Sequence, residues 1–141
     1  MLVKNVMTRN VVTVLPEETV ATASRLMARD NLGALAVCSR DGRLRGMLTD
    51  RDIVLRCVAA GENPAELMVR QVMTRRLVTV NPEEETAQAA SRMAEQQVRR
   101  LPVEQEGKLV GMISLADLSR APQFRMEAAE ALCNICDSVR K

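Results

Sequence analysis

The chain contains nearly the same sequence twice, and this duplication limits the folds that it can adopt. The stretch VMTRNVVTVLPEE at residues 6–18 recurs 66 residues further on as VMTRRLVTVNPEE at residues 72–84. A second stretch, GRLRGMLTDRD at residues 42–52, recurs after 65 residues as GKLVGMISLAD at residues 107–117. A period of about 65 residues is too long for solenoid repeats and fits two copies of one small α/β unit. Two such units usually pack about a pseudo-twofold axis, and the clefts at their seam are natural ligand sites.

Composition excludes several classes of function. Nearly balanced charge, with 20 basic and 18 acidic residues, argues against a protein whose main task is to bind nucleic acid. The single aromatic residue, Phe124, cannot form a platform on which successive bases stack. Because the chain has no histidine, it lacks the commonest general base and the commonest metal ligand. We find no nucleophile–base pair and no glycine-rich phosphate loop, so we do not expect an enzyme.

The sequence shows no signal for export or membrane insertion. The first ten residues, MLVKNVMTRN, contain no apolar core of a signal peptide, and no apolar stretch approaches the roughly 20 residues of a membrane span. We therefore expect a cytoplasmic protein that does not enter the membrane. In that compartment four free thiols are expected, at Cys38, Cys57, Cys133 and Cys136.

Turn residues and apolar periodicity predict the same order of elements, β-α-β-β-α, in both halves. For the first half we predict strands at 11–14, 34–38 and 44–48, a helix from Pro16 to Asp30 and a helix from Thr49 to about Ala60. For the second half we predict strands at 77–80, 101–103 and 109–113 and helices at 82–96 and 114–120. The repeats are assigned to residues 1–62 and 63–121, and residues 122–141 form a helical tail without a counterpart in the first half.

Four motifs can be compared with known families: VMT at the start of each repeat, the VVTV or LVTV strand with its Pro-Glu-Glu, the Gly-hydrophobic-hydrophobic-Ser/Thr-x-x-Asp block, and RRLPV at residues 99–103. Over about residues 1–120 they resemble a tandem pair of cystathionine-β-synthase (CBS) domains. The resemblance implies an α/β (α+β) fold in which two β-α-β-β-α repeats pack with pseudo-twofold symmetry, followed here by a C-terminal helix. It also implies adenosine-type ligands in one or both clefts between the repeats, without catalysis.

The Ser/Thr-x-x-Asp blocks have chemistry that suits a ribose phosphate. Thr49 and Asp52, and likewise Ser114 and Asp117, follow a predicted strand and begin a predicted helix. The hydroxyl and the free N–H groups of a helix N-terminus can bind a phosphate, and a carboxylate can accept hydrogen bonds from both hydroxyls of a ribose. The same pattern is close to a capping box, in which these groups only satisfy the helix itself. Because two copies occur in register, each after Gly-Met-hydrophobic and within the pattern that resembles CBS domains, we expect a ribose role for at least one.

The resemblance also implies that the two clefts differ. In CBS pairs a nucleotide bound by the Asp of one repeat commonly receives phosphate contacts from the partner repeat, just before its Leu-Pro-Val strand. For the cleft of Thr49 and Asp52 these residues are Arg99 and Arg100, with Arg51 also near. Arginine suits this role because its guanidinium donates two hydrogen bonds to one phosphate.

For the cleft of Ser114 and Asp117 the corresponding residues are Gly33 and Ala34, which carry no charge. Its Leu-Ala-Val strand also departs from the Leu-Pro-Val of the family. We therefore expect the phosphorylated nucleotide in the first cleft, and an empty site or a less charged ligand in the second. The adenine would contact aliphatic residues that could equally be plain core: Val78, Thr79 and Met112 in one cleft, and Val12, Thr13 and Met47 in the other.

One motif, Cys133-Asn-Ile-Cys136, suggests a competing function. A C-x-x-C sequence can be a redox pair or half of a zinc site, but zinc needs four ligands, so Cys38 and Cys57 would have to converge on it. On a predicted helix the pair is more simply two small buried side chains. Because the apolar stripe of this tail helix needs a cover, we expect the tail to contribute to a homodimer.

These patterns favour a regulatory module that binds an adenine nucleotide such as AMP, ADP or ATP as its ligand and needs no catalytic cofactor. As a homodimer it would signal to an effector protein that the sequence does not identify. Two alternatives stay open. The first alternative is a structural dimer or adaptor that binds no ligand. The second is a sensor of thiol oxidation or of a metal, which would act through the tail cysteines.

Overall fold

The folded units and the sequence repeats have different boundaries. The computed structural model describes residues 1–120 and 125–139 and divides the chain into two units. The first unit is Val12–Leu77, and the second unit combines Met1–Val11 with Val78–Lys141. The N-terminal segment therefore packs with the second repeat of the sequence. The repeat boundaries at residues 62 and 121 stay a prediction about the duplication.

The first unit contains a three-stranded sheet with the order β1-β2-β3. Its elements are β1 (Thr13–Val14), α1 (Val20–Asp30), β2 (Ala34–Cys38), β3 (Leu44–Thr49), α2 (Asp50–Ile53) and α3 (Val69–Val72). The pairing of β1 with β2 is parallel and that of β2 with β3 antiparallel. A π-helical turn, Val54–Val58, continues α2, so the predicted helix after Thr49 is not α-helical throughout.

The second unit repeats this arrangement with a smaller sheet. After a 3₁₀ turn at Val3–Asn5 it contains α4 (Thr86–Gln96), β4 (Arg100–Gln105), β5 (Lys108–Ser114), α5 (Leu115–Arg120) and α6 (Arg125–Val139). The strand predicted at residues 77–80 is wrong, because only Val80 forms a bridge, to Val103. At the preceding residue the carbonyl of Thr79 accepts a hydrogen bond from the Arg92 side chain rather than from a neighbouring strand. The prediction of mixed α and β structure with two repeats and a C-terminal helix is confirmed.

Capping side chains rather than prolines determine where the long helices begin. The hydroxyl of Thr19 accepts a hydrogen bond from the N–H of Thr22 at 3.1 Å and so caps α1, whereas Pro16 lies in a preceding turn. Helix α4 begins after Glu85, not at Pro82, and there the side chain of Gln88 accepts a hydrogen bond from the Glu85 N–H at 3.0 Å. The predicted helix starts are therefore wrong, but both predicted ends are confirmed. The residues after them, Asn31 and Gln97, adopt the left-handed conformation that terminates a helix.

The VMT segments of the sequence close the sheets of the units. In the second unit Thr8 exchanges two backbone hydrogen bonds with Met112, at 2.8 and 2.9 Å. In the first unit Thr74 exchanges two with Met47, at 2.8 and 3.0 Å. Each unit is therefore completed by a segment that precedes the other repeat in the chain.

A glycine in β3 or β5 allows each VMT segment to approach this closely. A Cβ atom on Gly111 would lie 2.7 Å from the sulfur of Met7 and 2.9 Å from the carbonyl oxygen of Thr8. A Cβ atom on Gly46 would lie 2.7 Å from the carbonyl oxygen of Thr74. Since backbone cannot yield as a flexible side chain can, any larger residue here would displace the segment.

Helix α6 is covered within the second unit. It packs against α4 and α5, and three of its side chains are buried in the core of the unit: Ala128, Ala131 and Ile135. Of the apolar stripe from which we predicted a tail-mediated dimer, Ala128 and Ile135 are thus covered by the chain itself, whereas Leu132 is 43% exposed. Two residues of that stripe, Phe124 and the side chain of Val139, lie outside the described residues. In residues 1–120 and 125–139 no helix has the length and apolarity of a membrane span.

We predict that Gly111→Ala lowers the free energy of unfolding by about 1–3 kcal/mol, because the new methyl group overlaps the Met1–Val11 segment. Gly33→Ala is the matched control, since its Cβ would meet no atom closer than Asp50 Oδ2 at 3.4 Å. Urea denaturation of the two variants and the wild type measures the difference. Equal stability of Gly111→Ala and Gly33→Ala would contradict the close approach.

Candidate functional site

The turn from β3 to α2 holds the first candidate site, in which Thr49 and Asp52 form reciprocal hydrogen bonds. Thr49 Oγ1 accepts from the Asp52 N–H at 3.0 Å, and Asp52 Oδ2 accepts from the Thr49 N–H at 3.0 Å. The other carboxylate oxygen, Oδ1, accepts from the Thr74 hydroxyl at 3.3 Å and lies 3.8 Å from Arg56 Nη1. Asp52 is 9% exposed, whereas the adjacent Arg51 is exposed. The turn is a complete capping box, and Oδ1 of Asp52 takes no part in the cap.

The turn from β5 to α5 repeats this geometry in the second unit. Ser114 Oγ accepts from the Asp117 N–H at 3.1 Å, and Asp117 Oδ2 accepts from the Ser114 N–H at 2.9 Å. The second oxygen, Oδ1, accepts from Arg120 Nη1 at 3.4 Å. The capping role that the sequence left open is therefore formed in both turns, and each cap uses only one carboxylate oxygen.

The residues just before β2 lie beside the first turn. The carbonyl oxygen of Gly33 accepts from the backbone N–H of Asp50 at 3.0 Å, and Ala34 pairs with Thr49 in the antiparallel ladder. Both residues are partly buried and neither carries a charge. To this end of the first unit they contribute backbone N–H and carbonyl groups but no polar or charged side chain.

The residues just before β4 take the equivalent positions in the second unit. The carbonyl oxygen of Arg99 accepts from the N–H of Leu115 at 2.9 Å, and Arg100 pairs with Ser114. Both arginine side chains are exposed, and within the described part of the chain neither guanidinium has a hydrogen-bonding or ion-pairing partner. Where the first unit has two uncharged residues, the second unit therefore has two unpaired positive charges.

The six residues predicted to contact adenine divide evenly between the units: Val12, Thr13 and Met47 in the first, and Val78, Thr79 and Met112 in the second. Val12 and Val78 pack against the apolar cores of their units, and Met47 is only 8% exposed. These three contribute to the core, which is the alternative that the sequence left open. Their contact with a ligand stays a prediction.

Sequence reasoning missed two side chains at Asp52 and a cavity in the second unit. Thr74 and Arg56 contact the Asp52 carboxylate, and the Thr in both VMT motifs was the available signal for the first of them. The cavity, of about 560 Å³, lies among the turn before α5, the two arginines and α6. Its described lining residues are Arg99, Arg100, Ser114, Leu115, Ala116, Ser119, Ala128, Ala129 and Leu132. No sequence pattern placed α6 beside this turn.

The cysteines differ sharply in exposure. Cys38 and Cys57 are buried in the first unit, whereas Cys133 and Cys136 are exposed on α6. The expected burial of the tail pair is wrong, because α6 turns a different face, that of Ala131, towards the core. In the described residues no group of three or more His, Cys, Asp or Glu side chains could hold a metal ion.

We predict that Ellman's reagent modifies two thiols of the native protein rapidly and all four after denaturation. Cys133 and Cys136 are accessible, whereas burial excludes the reagent from Cys38 and Cys57 and raises the pKa of the Cys38 thiol. The double variant Cys133→Ser/Cys136→Ser should lose the rapid phase entirely. A rapid phase that persists in this variant would contradict the burial of the other two.

The model of the CBS domain matches the chain twice, at residues 3–58 and 69–123. The two matches account for most of the chain and include both capped turns. The chain belongs to the CBS domain family and carries a tandem pair of these regulatory modules.

Individual relatives agree with this assignment. The CBS domain-containing protein YhcV of Bacillus subtilis is 42% identical over 133 residues, which is 94% of this chain and 94% of that protein. Hypoxic response protein 1 of Mycobacterium tuberculosis is 37% identical over 133 residues, which is 93% of each.

Solved structures share the fold. The crystal structure of Hypoxic Response Protein I with two coordinated zinc ions has a TM-score of 0.79 and 36% identity, covering 85% of this chain and 98% of that one. The CBS domain pair of protein MJ0100, in complex with 5′-methylthioadenosine and S-adenosyl-L-methionine, has a TM-score of 0.75 with the same coverage. At 23% identity the second likeness concerns the fold alone.

Proposed function

We propose that the chain is a non-catalytic regulatory module that binds an adenosine-containing ligand such as AMP, ADP or ATP through its two capped turns. One observation carries the proposal: each cap uses Oδ2 of the aspartate and uses the Ser or Thr oxygen only as an acceptor. Oδ1 lies outside each cap and is contacted by Thr74 in the first turn and by Arg120 in the second. A carboxylate oxygen has two lone pairs, so Oδ1 can also accept from a ribose hydroxyl, and the Ser or Thr hydroxyl can donate to the ligand. Capping and ligand binding are compatible in the same turn.

The chemistry of the turns supports adenosine rather than a particular nucleotide. The complex of the MJ0100 domain pair with two adenosine derivatives shows that this fold accepts such ligands in another protein. The Thr49–Asp52 turn is proposed as the main ribose site, because Thr74 holds the Asp52 carboxylate in place. That Arg99 and Arg100 contact the phosphate of the ligand bound at this turn stays a prediction from the sequence. The existence of an effector protein stays a prediction as well.

We predict that a matching ligand raises the melting temperature by several degrees in a dye-based thermal-shift panel of adenosine, AMP, ADP, ATP and S-adenosylmethionine. A ligand at about 100 times its dissociation constant stabilises the fold by about 2.7 kcal/mol. Asp52→Asn should abolish most of this shift. Its amide oxygen still accepts from the Thr49 N–H, but the NH₂ group replaces the oxygen that would accept from ribose.

A second capping variant, Thr19→Ala, controls for general destabilisation of the first unit. It removes the hydrogen bond to the Thr22 N–H, at a cost of about 1 kcal/mol, and should keep the full ligand response. Equal responses of Asp52→Asn and the wild type would refute the first turn as the ribose site. A panel without any shift in the wild type would favour a structural dimer without a ligand.

We also propose that the chain forms a homodimer, in which the π-helical turns of the first units of the two copies contact each other. Val54, Leu55 and Val58 are 54%, 50% and 66% exposed, which forms an apolar patch on the surface. In the second unit the equivalent helix, α5, is covered by α6. A second copy suits the patch, because the flanking Asp50 and Arg51 carry opposite charges that can pair across a twofold axis.

Leu55→Glu is expected to convert the dimer to a monomer, because it places a charge in the centre of the apolar contact. Sedimentation velocity over a range of concentrations measures the change. Leu132→Glu is the control, since Leu132 is exposed to a similar extent, 43%, but lies on α6. A monomer from Leu132→Glu and a dimer from Leu55→Glu would instead assign the contact to the tail.

A further inference from the structure

Cys133 and Cys136 are exposed on α6, and packing does not account for them. The helix docks against the core of the second unit through Ala128, Ala131 and Ile135. The two cysteines lie outside this buried set, and cysteine is only a moderate helix former. Their thiol chemistry, rather than their packing, therefore distinguishes this surface of α6.

Small reagents in solvent can reach this pair of thiols. A hollow of about 430 Å³ opens beside Cys133, and its other described lining residues are Ala129, Glu130 and Asn134. Two thiolates are too few ligands for a zinc ion, and among the described residues no third His, Cys, Asp or Glu side chain completes a metal-binding group. The chemistry that the pair can perform without further ligands is thiol–disulfide exchange.

The two cysteines can form a disulfide only if the helix is distorted. Residues three positions apart on a regular α-helix have Cβ atoms about 5–6 Å apart, whereas a disulfide needs about 3.5–4.5 Å. Helix α6 is continuous over Arg125–Val139, so Cys133 and Cys136 have the longer spacing. The turn that joins them contains Ile135, which is only 5% exposed and belongs to the core. A disulfide therefore displaces a residue that holds α6 in place.

We propose that Cys133 and Cys136 are a site of reversible oxidation by small disulfides, and that oxidation releases the end of α6 from the core. The thiolate of one cysteine attacks the external disulfide, forms a mixed disulfide and expels one thiolate. The other cysteine then attacks the mixed disulfide and expels the second thiolate. In total the pair loses two protons and two electrons, and the small disulfide gains them and becomes two thiols.

This site goes beyond the proposed function and does not depend on it. The CBS domain matches end at residue 123, whereas both cysteines lie further along the chain, on α6. Oxidation and docking are linked equilibria, because the docked helix holds the two cysteines too far apart for a disulfide. Docking therefore opposes oxidation by the same factor by which oxidation opposes docking.

Glutathione disulfide is the probe, and mass spectrometry of the full chain identifies the product. The wild type is expected to lose the mass of two hydrogen atoms, with the disulfide between Cys133 and Cys136. The variant Cys133→Ser should instead retain one glutathione on Cys136, because the second attacking thiol is absent. Stable glutathione adducts on both cysteines of the wild type, a disulfide-linked dimer or an unmodified pair would overturn the proposal.

Hydrogen–deuterium exchange measures the release of α6. In the oxidised chain the amides around Ile135 are expected to exchange at least about tenfold faster than in the reduced chain, because they leave the docked helix. The amides of α1, in the first unit, are the internal control and should keep their exchange rates. The double variant Cys133→Ser/Cys136→Ser, treated with the same reagent, should show no change. Unchanged exchange around Ile135 in a chain that carries the disulfide would contradict the release.

Ile135→Ala tests the link between docking and oxidation. Because this variant removes the side chain that holds the turn, the glutathione disulfide concentration for half-oxidation, at fixed glutathione, should fall at least about fivefold. Ile53→Ala is the matched control, since it is the same substitution beside the core of the first unit and should leave that concentration unchanged. Urea denaturation establishes that both variants are folded. Equal concentrations for Ile135→Ala and Ile53→Ala would refute the link.

Discussion

The reciprocal hydrogen bonds between a Ser or Thr and the Asp three residues later are the interaction on which each unit depends. They begin the helix after the return strand, and they hold a nearly buried carboxylate whose Oδ2 serves the cap while Oδ1 faces other side chains, Thr74 in the first unit and Arg120 in the second. In the first unit the capping bond, Thr74 and Arg56 together satisfy the Asp52 carboxylate, whose burial without partners would cost several kcal/mol. The helix cap and the proposed ligand site therefore depend on the same two residues of each turn.

The VMT segments connect these turns to the rest of the chain. In the first unit the segment contributes Thr74, whose backbone pairs with Met47 and whose hydroxyl reaches Asp52. In the second unit Thr8 pairs in the same way with Met112, but Arg120 rather than a threonine contacts Asp117. The two copies of one sequence motif thus surround their carboxylates differently. On these neighbours rests the proposal that the Thr49–Asp52 turn is the main ribose site.

Local patterns predicted most of the fold and part of the site. Short β-branched or apolar runs on either side of glycine turns predicted β2, β3, β4 and β5 correctly, because a hairpin depends on residues that are close together in the chain. The same reasoning failed at Pro16 and Pro82, because the helices begin four residues later, where the side chains of Thr19 and Gln88 accept hydrogen bonds from backbone N–H groups of the first turn. It failed again at residues 77–80, because strand formation there depends on a partner far along the chain and the Arg92 side chain takes the carbonyl of Thr79.

The sequence by itself determined the duplication, the family and the chemistry of the two capped turns, since each turn depends on contacts between residues only three apart. Only the tertiary structure decided which segment completes which unit, which cysteines are exposed and where α6 docks. It also brought Arg99 and Arg100 to one cavity with Leu132, more than thirty positions away in the chain. These features depend on packing between distant residues, and the pattern of a single segment carries no information about its distant partner.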